Sequence, residues 1–396
     1  MSVAFNSIKG LTFYDITRAY VGVTMLVPVD GEEVWLIDML GNTVHSWKTR
    51  HKPIYANLLP NGNLLYMGQV DKGPLVDLEG AGGSLQEVDW DGNVVWEYNE
   101  PYLHHAFDRT EKGNTLVLRW VEVPKEIAAR VKGGDPGSER EGVMWGDAIQ
   151  EVTPKGTVAW EWIGHEHLDP DVDIACPICP RCGWTHANAV AELPDDDILM
   201  SFMQTNVIAI IDKRSGDVKW RYGGPKGELA HQHSPSVLDN GNFLVFDNGL
   251  HPRGLAKGFS RILEVNPSSS KIVWGFGGNW PEPKELFYSP TMGSCQRLSN
   301  GNTFVCESTT GRLFELSPKG DLVWEYVNNL PSYETSLSKS KSCPVFCAFR
   351  YGMDYSGLKR PVTRYARRRE PRPGTTEEEG GVKEAAVVSR LERLGY

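Results

Sequence analysis

Apolar and polar residues alternate along most of the chain in short segments separated by turns. Six such segments are VWLIDM, SLQEVD, AIQEVT, VIAIID, RILEVN and RLFELS, and each is followed by a turn and a second short segment. Alternation with a period of two is the pattern of a half-buried β-strand, and a glycine-containing turn between two such segments is typical of a tight hairpin. The pattern therefore predicts a chain built mainly from antiparallel strands.

The strand pairs form a repeat that is marked by tryptophan. Six tryptophans lie at intervals of 49, 64, 60, 54 and 50 residues, each preceded by a turn and an apolar residue: Trp47, Trp96, Trp160, Trp220, Trp274 and Trp324. Between successive tryptophans lies a second turn, such as Asn61-Gly62-Asn63 or Asn240-Gly241-Asn242. Four antiparallel strands that recur about every 50 residues are typical of a β-propeller blade.

The two ends of the repeat region complement one another. The N-terminal part contains three strands without an inner partner, VTMLVPV, VWLIDM and VHSW, and VFCAFRYG follows the last repeat as a lone strand. Pairing these strands would complete a sixth blade and remove exposed strand edges. We therefore predict an all-β, six-bladed propeller of four-stranded antiparallel blades in residues 1–358, closed by the N- and C-terminal strands. A disordered mixed-charge linker (359–380) and a short C-terminal helix (381–396) are expected to follow.

The net charge of the chain excludes some classes of binding partner. Lys and Arg total 41 against 51 Asp and Glu, a net charge of -10 that would repel nucleic acid phosphates. No apolar run approaches the roughly 18 residues of a membrane span. The N-terminus lacks the features of a signal peptide, which predicts a cytoplasmic protein, or a periplasmic one if the N-terminus was processed. The oligomeric state is left open, a homodimer included.

The repeat register predicts where polar side chains meet. Seven positions before each of the second turns lie Ile54, His105, Asn188, His233 and Gly293. His186 precedes Asn188 by two residues and so shares its face of the strand. Because inner strands of a propeller converge on a central channel, three histidines and one asparagine are predicted to share a single opening. Histidine can act there as a nucleophile or as a general acid and base.

These motifs resemble the bacterial arylsulfotransferase family. The resemblance rests on the repeats, on His104-His105, on His186-Ala187-Asn188, on Gln232-His233 and on the closing FRYGMDY, and it spans about residues 20–358. It implies a six-bladed propeller that transfers a sulfuryl group from an aryl sulfate to a phenol. It also implies a sulfohistidine intermediate and no nucleotide cofactor.

Residue by residue, the resemblance implies that His233 is the nucleophile and that His105 and His186 stabilise charge on the sulfuryl oxygens and the leaving phenolate. Asn188 would hold the donor sulfate, and His104 would contribute to substrate binding. The family places a sulfate-binding arginine on the second strand of the His-x-Asn blade, where this chain has Gln204 instead. The cation would then come from another blade, and the candidates are Arg253, Arg297 and Arg350.

A cysteine-rich connector runs directly into His186. Its Cys176-x-x-Cys179-x-x-Cys182 motif has metal-ligand spacing, and His165 and His167 lie shortly before it. Three thiolates and one of these imidazoles, or that of His186, would complete a tetrahedral zinc site. A disulfide and reduced thiols that stiffen a proline-rich loop are the alternatives.

Three functions remain open at this point. One is a nucleotide-independent aryl sulfotransferase that uses His233 and small aryl sulfates and phenols. The second is a lyase or hydrolase on the same propeller, whose histidines perform acid–base chemistry or bind a metal with the cysteine connector. The third is a non-catalytic interaction scaffold. The histidines in register weigh against the scaffold, and the missing arginine weighs against the sulfotransferase.

Overall fold

A computed structural model describes residues 8–225, 227–251, 258–278, 287–330 and 343–358. It confirms the predicted six-bladed propeller of antiparallel sheets. The predicted linker (359–380), the predicted helix (381–396) and the candidate Arg253 lie outside the described residues.

We number the blades from the one that closes the ring. Strand β1 (Gly10–Tyr14) precedes them. Blade 1 contains β2 (Gly22–Pro28), β3 (Glu33–Ile37) and β4 (Thr43–Lys48). Blade 2 contains β5 (Lys52–Leu58), β6 (Leu64–Gln69), β7 (Gly83–Val88) and β8 (Val94–Asn99). Blade 3 contains β9 (Leu103–Arg109), β10 (Thr115–Glu122), β11 (Trp145–Val152) and β12 (Val158–Ile163).

The second half of the ring repeats this plan. Blade 4 contains β13 (Ala187–Glu192), β14 (Ile198–Phe202), β15 (Val207–Ile211) and β16 (Val218–Gly223). Blade 5 contains β17 (His233–Val237), β18 (Phe243–Asp247), β19 (Arg261–Asn266) and β20 (Lys271–Phe276). Blade 6 contains β21 (Ser294–Arg297), β22 (Thr303–Glu307), β23 (Arg312–Leu316) and β24 (Leu322–Val327), and β25 (Val345–Gly352) is the innermost strand of blade 1.

The first and the last of the described strands both belong to the ring. β25 pairs antiparallel with β2, from the pair Gly22–Gly352 to the pair Pro28–Val345, which confirms the predicted closure. β1 pairs with β24 and gives blade 6 a fifth, outer strand, which the repeat pattern did not predict. The ring therefore contains strands from the beginning of the described chain in two neighbouring blades.

Apolar side chains fill the six spaces between neighbouring blades. Between blades 6 and 1, the side chains of Leu26, Phe304 and Trp324 are fully buried. The other five spaces contain equivalent clusters. Full burial of a side chain of this size contributes roughly 1.5–3 kcal/mol, so the contacts between blades are a main source of stability.

Indole N–H groups also join one blade to the next. Trp47 Nε1 donates to the backbone oxygen of Asp89 in blade 2 at 3.0 Å, and Trp324 Nε1 donates to that of Met39 in blade 1 at 2.9 Å. Trp274 Nε1 likewise donates to the backbone oxygen of Pro318 in the next blade, whereas Trp220 Nε1 donates to the hydroxyl of Ser270. The predicted repeat tryptophans thus lie at blade interfaces.

Two of the repeat tryptophans contact the next blade differently. The rings of Trp96 and Trp160 lie beneath the cations of Arg109 and Lys213, which belong to the following blades. In blade 3 the N–H bridge comes from Trp162 instead, which donates to the backbone oxygen of Gly216 at 2.9 Å. Trp162 is fully buried, whereas Trp160, two residues earlier, is only half-buried.

Helices are short and lie in the connections. α1 (Lys125–Ala128) belongs to the long connection between β10 and β11, and α2 (Gly164–His167) begins the cysteine-rich connector that leads to β13. The only other helical segment among the described residues is a 3₁₀ turn, Ser308–Thr310. In the part of the chain that the structure describes, no helix is long and apolar enough to cross a membrane.

We expect the Trp324→Phe variant to unfold at a lower urea concentration than the wild type. The substitution removes the hydrogen bond to Met39 and shrinks a buried side chain at the closing interface, which costs roughly 1–3 kcal/mol in the free energy of unfolding. Trp96→Phe is the matched control, because that half-buried ring makes a cation contact instead and should lose less. Equal losses in the two variants would contradict an important role for the indole bridge.

Candidate active site

The inner strands of the blades are interrupted at the position that the repeat register singles out. β-bulges interrupt β9 beside His105, β13 at Asn188 and β17 just after His233. A bulge redirects a side chain from the regular pleat and is common beside active sites. Three neighbouring blades, 3, 4 and 5, therefore turn polar side chains toward the same region.

Three histidines and a buried carboxyl form a chain of polar contacts, which we call the histidine relay. His104 Nδ1 and His105 Nδ1 are 2.9 Å apart, and His105 Nε2 and His186 Nε2 are 3.1 Å apart. At the inner end, His104 Nε2 lies 3.4 Å from Asp147 Oδ1, and in the described structure neither of these buried atoms has a hydrogen-bond partner. The relay, consisting of Asp147, His104, His105 and His186, connects a fully buried carboxyl in β11 with a half-buried imidazole at the start of β13.

Surrounding groups hold the inner half of the relay, Asp147 and His104. The other oxygen of Asp147 accepts hydrogen bonds from the Thr185 hydroxyl and from the backbone N–H of Ala187. The His104 ring stacks on Trp120, with 4.6 Å between ring centroids. These contacts fix the orientation of both groups, so the relay is a preorganised arrangement.

The relay histidines adopt a backbone conformation that is uncommon for residues other than glycine. His105 and His186 both have a φ of 53°. Such conformations persist where the surrounding structure determines them, and they are concentrated at functional sites. Gly80 shows how closely His105 is enclosed: a Cβ at position 80 would lie 2.2 Å from both Cε1 and Nε2 of the His105 ring.

The environment of His233 determines which of its ring nitrogens carries the proton. Its Nδ1 lies 2.7 Å from Asn248 Oδ1 and 3.1 Å from the backbone oxygen of His231, and both of these oxygens accept hydrogen bonds. The Asn248 amide is held in this orientation because its Nδ2 donates to the backbone oxygens of Ser289 and Met292. Nδ1 of His233 is therefore the donor, and Nε2 retains its lone pair.

Burial keeps the histidines of the site neutral. It lowers the pKa of His233 and that of His186 to about 4, and it lowers the pKa values of His104 and His105 well below the usual range. A positive charge on His186 would further lower the pKa of His105 and of His233, which indicates that the three rings are close neighbours. Burial has the opposite effect on Asp147 and raises its pKa to about 7.

Asn188 and Gln204 are buried near the histidines but bind protein groups. Asn188 Nδ2 donates to the backbone oxygen of Gln232 at 2.8 Å, which ties β13 to the residue before His233. Gln204 Nε2 donates to the backbone oxygen of Pro180 at 3.0 Å, within the cysteine connector. In this arrangement the amide nitrogens predicted to hold sulfate are already used to position neighbouring segments.

The arginines expected to replace the family's sulfate-binding residue are used elsewhere in the described structure. Arg350 is only 1% exposed, lies over the ring of Trp324 and pairs with Glu315 at 3.3 Å. Arg297, in blade 6, pairs with Glu264 of blade 5 at 2.8 Å. The prediction that Arg350 binds substrate is therefore wrong, because this guanidinium joins blades 1 and 6 inside the core. Burial lowers the pKa of His233 by more than the exposed Glu79 carboxylate raises it.

The cysteine connector contributes to a second cluster. Ligand atoms of Cys176, Cys179, His231 and His251 all lie within 4.8 Å of one another. Cys182 is not part of this group, and neither are His165, His167 or His186, so the predicted ligand set is corrected. The hydrogen bond between the two thiols lowers the pKa of Cys176 and raises that of Cys179.

Several residues of the site were not predicted from the sequence: Asp147, Asn248, His231, His251 and Gly80. Asp147 had a recognisable signal, because it is one of two carboxyl residues, with Glu151, in the otherwise uncharged and mostly buried strand WGDAIQEV. Asn248 directly follows β18, the strand that pairs with the His233 strand. His231 and His251 could have been identified by testing every histidine, rather than only the nearby ones, as a partner of the cysteine motif.

The sequence matches the family described as arylsulfotransferase (ASST) over residues 56–329, more than half of the chain. The chain belongs to the arylsulfotransferase family. Membership indicates a sulfotransferase-type enzyme that needs no nucleotide cofactor. No curated protein matches the chain.

Solved structures resemble the protein in fold. A protein of unknown function from Bacteroides caccae is 14% identical, with a TM-score of 0.54, and the match covers 83% of this chain and 98% of that one. A streptogramin B lyase is 12% identical with a TM-score of 0.46, covering 84% and 86% of the two chains. A virginiamycin B lyase from Staphylococcus aureus is also 12% identical, with a TM-score of 0.42 and coverages of 81% and 89%. At these identities the similarity concerns the fold alone.

We expect the Gly80→Ala variant to displace the His105 ring and to break its contact with His186, because the added Cβ has no space. Gly113→Ala is the matched control: Gly113 also has a positive φ, of 84°, but its Cβ would meet nothing within 4 Å. Both variants should lose about 1 kcal/mol of stability from the left-handed conformation. NMR of the histidine ring nitrogens should detect a change at His105 and His186 in Gly80→Ala alone. Unchanged ring signals in that variant would contradict the close packing.

Proposed function

We propose that the protein transfers a sulfuryl group from an aryl sulfate to a phenol, with His233 as the nucleophile. The observation that carries this proposal is the fixed tautomer of His233. Two oxygen acceptors hold the proton on Nδ1, so that the neutral Nε2 lone pair is available beside the histidine relay. A neutral imidazole nitrogen is a competent nucleophile, and a low pKa keeps it in that form at neutral pH.

In the first half-reaction, Nε2 of His233 attacks the sulfur of the donor. The Nε2–S bond forms while the bond between sulfur and the aryl oxygen breaks, and the electron pair leaves with the phenolate. The ring develops positive charge, which the hydrogen bond from Nδ1 to Asn248 stabilises. Asn248 is therefore a positioning residue that also favours the charged intermediate.

The leaving phenolate needs a proton, and the relay can supply one without forming a histidine cation. In the loaded state Asp147 is protonated and donates to His104, His104 Nδ1 donates to His105, and His105 Nε2 donates to His186. When Nδ1 of His186 gives its proton to the phenolate, each proton of the relay moves one step outward. Asp147 ends as a carboxylate and the three histidines remain neutral.

The pKa values support this direction of transfer. The low pKa values of the three histidines make any single imidazolium a costly intermediate, whereas Asp147 has a pKa of about 7. A general acid works best when its pKa lies near the working pH. The distance of 3.4 Å between Asp147 Oδ1 and His104 Nε2 needs to shorten by a few tenths of an ångström before a proton can pass between them.

The second half-reaction reverses these movements. The acceptor phenol gives its proton to Nδ1 of His186, and the relay shifts inward until Asp147 is protonated again. The phenol oxygen attacks sulfur, the Nε2–S bond breaks, and His233 recovers its lone pair. The proton balance closes over the cycle, and no nucleotide enters it.

The lyase or hydrolase alternative is favoured by one observation. In the described structure Arg297 and Arg350 pair with Glu264 and Glu315, so neither guanidinium supplies the cation that an anionic sulfate would need. A site of neutral histidines without such a cation suits acid–base chemistry on a neutral substrate. The same relay would then protonate or deprotonate that substrate directly.

We expect the wild type to release nitrophenol from 4-nitrophenyl sulfate in the presence of phenol, and His233→Ala to abolish this release. During turnover without acceptor, intact-protein mass spectrometry should detect one added sulfuryl group on the wild type but not on His233→Ala. His165→Ala, in helix α2 and outside the relay, is the control that should retain activity. If no aryl sulfate is turned over, or if His233→Ala still becomes sulfated, the proposal fails and the acid–base alternative gains support.

We expect Asp147→Asn to affect substrates according to their leaving groups. The asparagine amide would donate to His104 and could not release a proton, so turnover of phenyl sulfate should fall by roughly a hundredfold or more. Turnover of 4-nitrophenyl sulfate should fall much less, because nitrophenolate leaves as a stable anion.

The pH profile provides a second readout for the same variant. Because burial raises the pKa of Asp147 to about 7, its acid form is lost as the pH rises through that value. The turnover of phenyl sulfate by the wild type should therefore decline above about pH 7, and the decline should be absent in Asp147→Asn. Among the described groups in contact with this carboxyl, His104 is titratable, the Thr185 hydroxyl lies just before β13, and the backbone N–H of Ala187 lies at the start of β13. Asp38→Asn, which alters another buried carboxyl in blade 1, should leave both profiles unchanged. An equal loss with both substrates would assign Asp147 a structural role only.

A further inference from the structure

We propose that Cys176, Cys179, His231 and His251 form a tetrahedral site for a zinc ion. The four residues come from two separate parts of the chain: the cysteines from the connector before β13, and the histidines from the segments on either side of β17 and β18. The site is distinct from the histidine relay and does not depend on which reaction the pocket performs.

The distances between the ligand atoms match those of a zinc site. Cys179 Sγ lies 3.2 Å from His231 Nε2 and 3.4 Å from His251 Nδ1, and Cys176 Sγ lies 3.6 Å from His251 Nδ1. Zinc bonds of about 2.3 Å to sulfur and 2.0–2.1 Å to nitrogen at tetrahedral angles place sulfur and nitrogen about 3.6 Å apart. A metal could therefore enter with small movements of side chains alone.

The backbone around the cysteines is built to hold them. The N–H of Cys179 donates to the backbone oxygen of Cys176, which forms the turn of a C-x-x-C motif. The connection between β10 and β11 binds both oxygens from the other side, because the N–H groups of Gly134 and Asp135 donate to Cys176 and Cys179. Gly133 makes this approach possible, since a Cβ there would lie 2.1 Å from the backbone oxygen of Ala175.

The surrounding backbone also fixes the positions of His231 and His251. The backbone N–H of His231 donates to Asn206 Oδ1 at 2.8 Å, and Gln232 Nε2 donates to the backbone oxygens of Phe202 and Val207. His231 and His251 have φ values of 59° and 51°, an uncommon conformation for residues with a side chain. This conformation costs free energy at both histidines, and such strained residues are concentrated at functional sites.

The donor set favours zinc over other metals. Two thiolates and two imidazoles in a tetrahedral arrangement are typical of structural zinc, whereas magnesium and calcium require oxygen ligands. Two thiolates neutralise the charge of Zn²⁺, and three of the four ligand residues are buried. With all four positions filled by protein, the site has a structural role.

Its position indicates what the metal would do. His231 is two residues before His233, and the cysteine connector continues into His186. The ion would therefore link blade 4 to blade 5 at the two segments that carry these histidines. We infer that zinc is a positioning element, which holds the nucleophile strand against the relay strand.

The test is metal binding by the whole reduced protein. Protein expressed with zinc and desalted should contain about one Zn²⁺ per chain by elemental analysis. After replacement with Co²⁺, it should show thiolate-to-cobalt charge transfer and the visible bands of tetrahedral cobalt. Cys179→Ser and His251→Asn should lose both the metal and the bands. Asparagine is chosen for His251 because it tolerates a positive φ.

Cys182→Ser is the matched control, since this cysteine belongs to the same loop but not to the cluster, and it should bind a full equivalent of metal. Native mass spectrometry of each variant shows whether it is folded, so a loss of metal can be separated from a loss of structure. The proposal is overturned if the reduced wild type binds neither ion, or if Cys182→Ser loses as much metal as Cys179→Ser. It is also overturned if the purified protein carries a Cys176–Cys179 disulfide, detected as two missing thiols.

Discussion

The pairing of β25 with β2 is the interaction on which the rest of the structure depends. A four-stranded blade buries its two faces only against its neighbours, so an open row of blades would leave two apolar faces and two strand edges exposed. Closure of the ring buries these two exposed faces in a sixth interface between blades. It also determines where inner strands lie relative to one another, and the candidate active site is composed of residues from three of them. The arrangement of the candidate active site therefore depends on the pairing of β25 with β2.

The repeat made much of the fold predictable from the sequence, and part of the site with it. Because each blade has the same register, counting from the turns located His105, Asn188 and His233 without knowledge of the structure. The method failed where a position depends on segments that the repeat does not contain. Arg350 is oriented by Glu315 across the closing interface, and this pairing between distant positions cannot be recognised from the residues next to Arg350 in the sequence.

The cysteine connector illustrates the same limit. Its spacing correctly indicated a cluster of metal-ligand residues, but the path of the loop is set by the long connection of blade 3, through backbone contacts such as Asp135 to Cys179. That path brings Cys176 and Cys179 to His231 and turns Cys182 away from them. Asp147 is a further case, because its significance depends on His104 in β9, two strands away in the same blade. Non-local packing, rather than local propensity, decided each of these outcomes.

The left-handed backbone at four histidines has a consequence for how the protein can change. His105, His186, His231 and His251 all occupy a region that glycine, asparagine and aspartate tolerate and that most other residues avoid. Substitutions at these positions are thus restricted to a few residue types, of which asparagine preserves both the backbone conformation and a polar side chain. Relatives that have lost the relay should carry asparagine or glycine at positions 105 and 186, and relatives that have lost the cysteine–histidine cluster should carry them at positions 231 and 251.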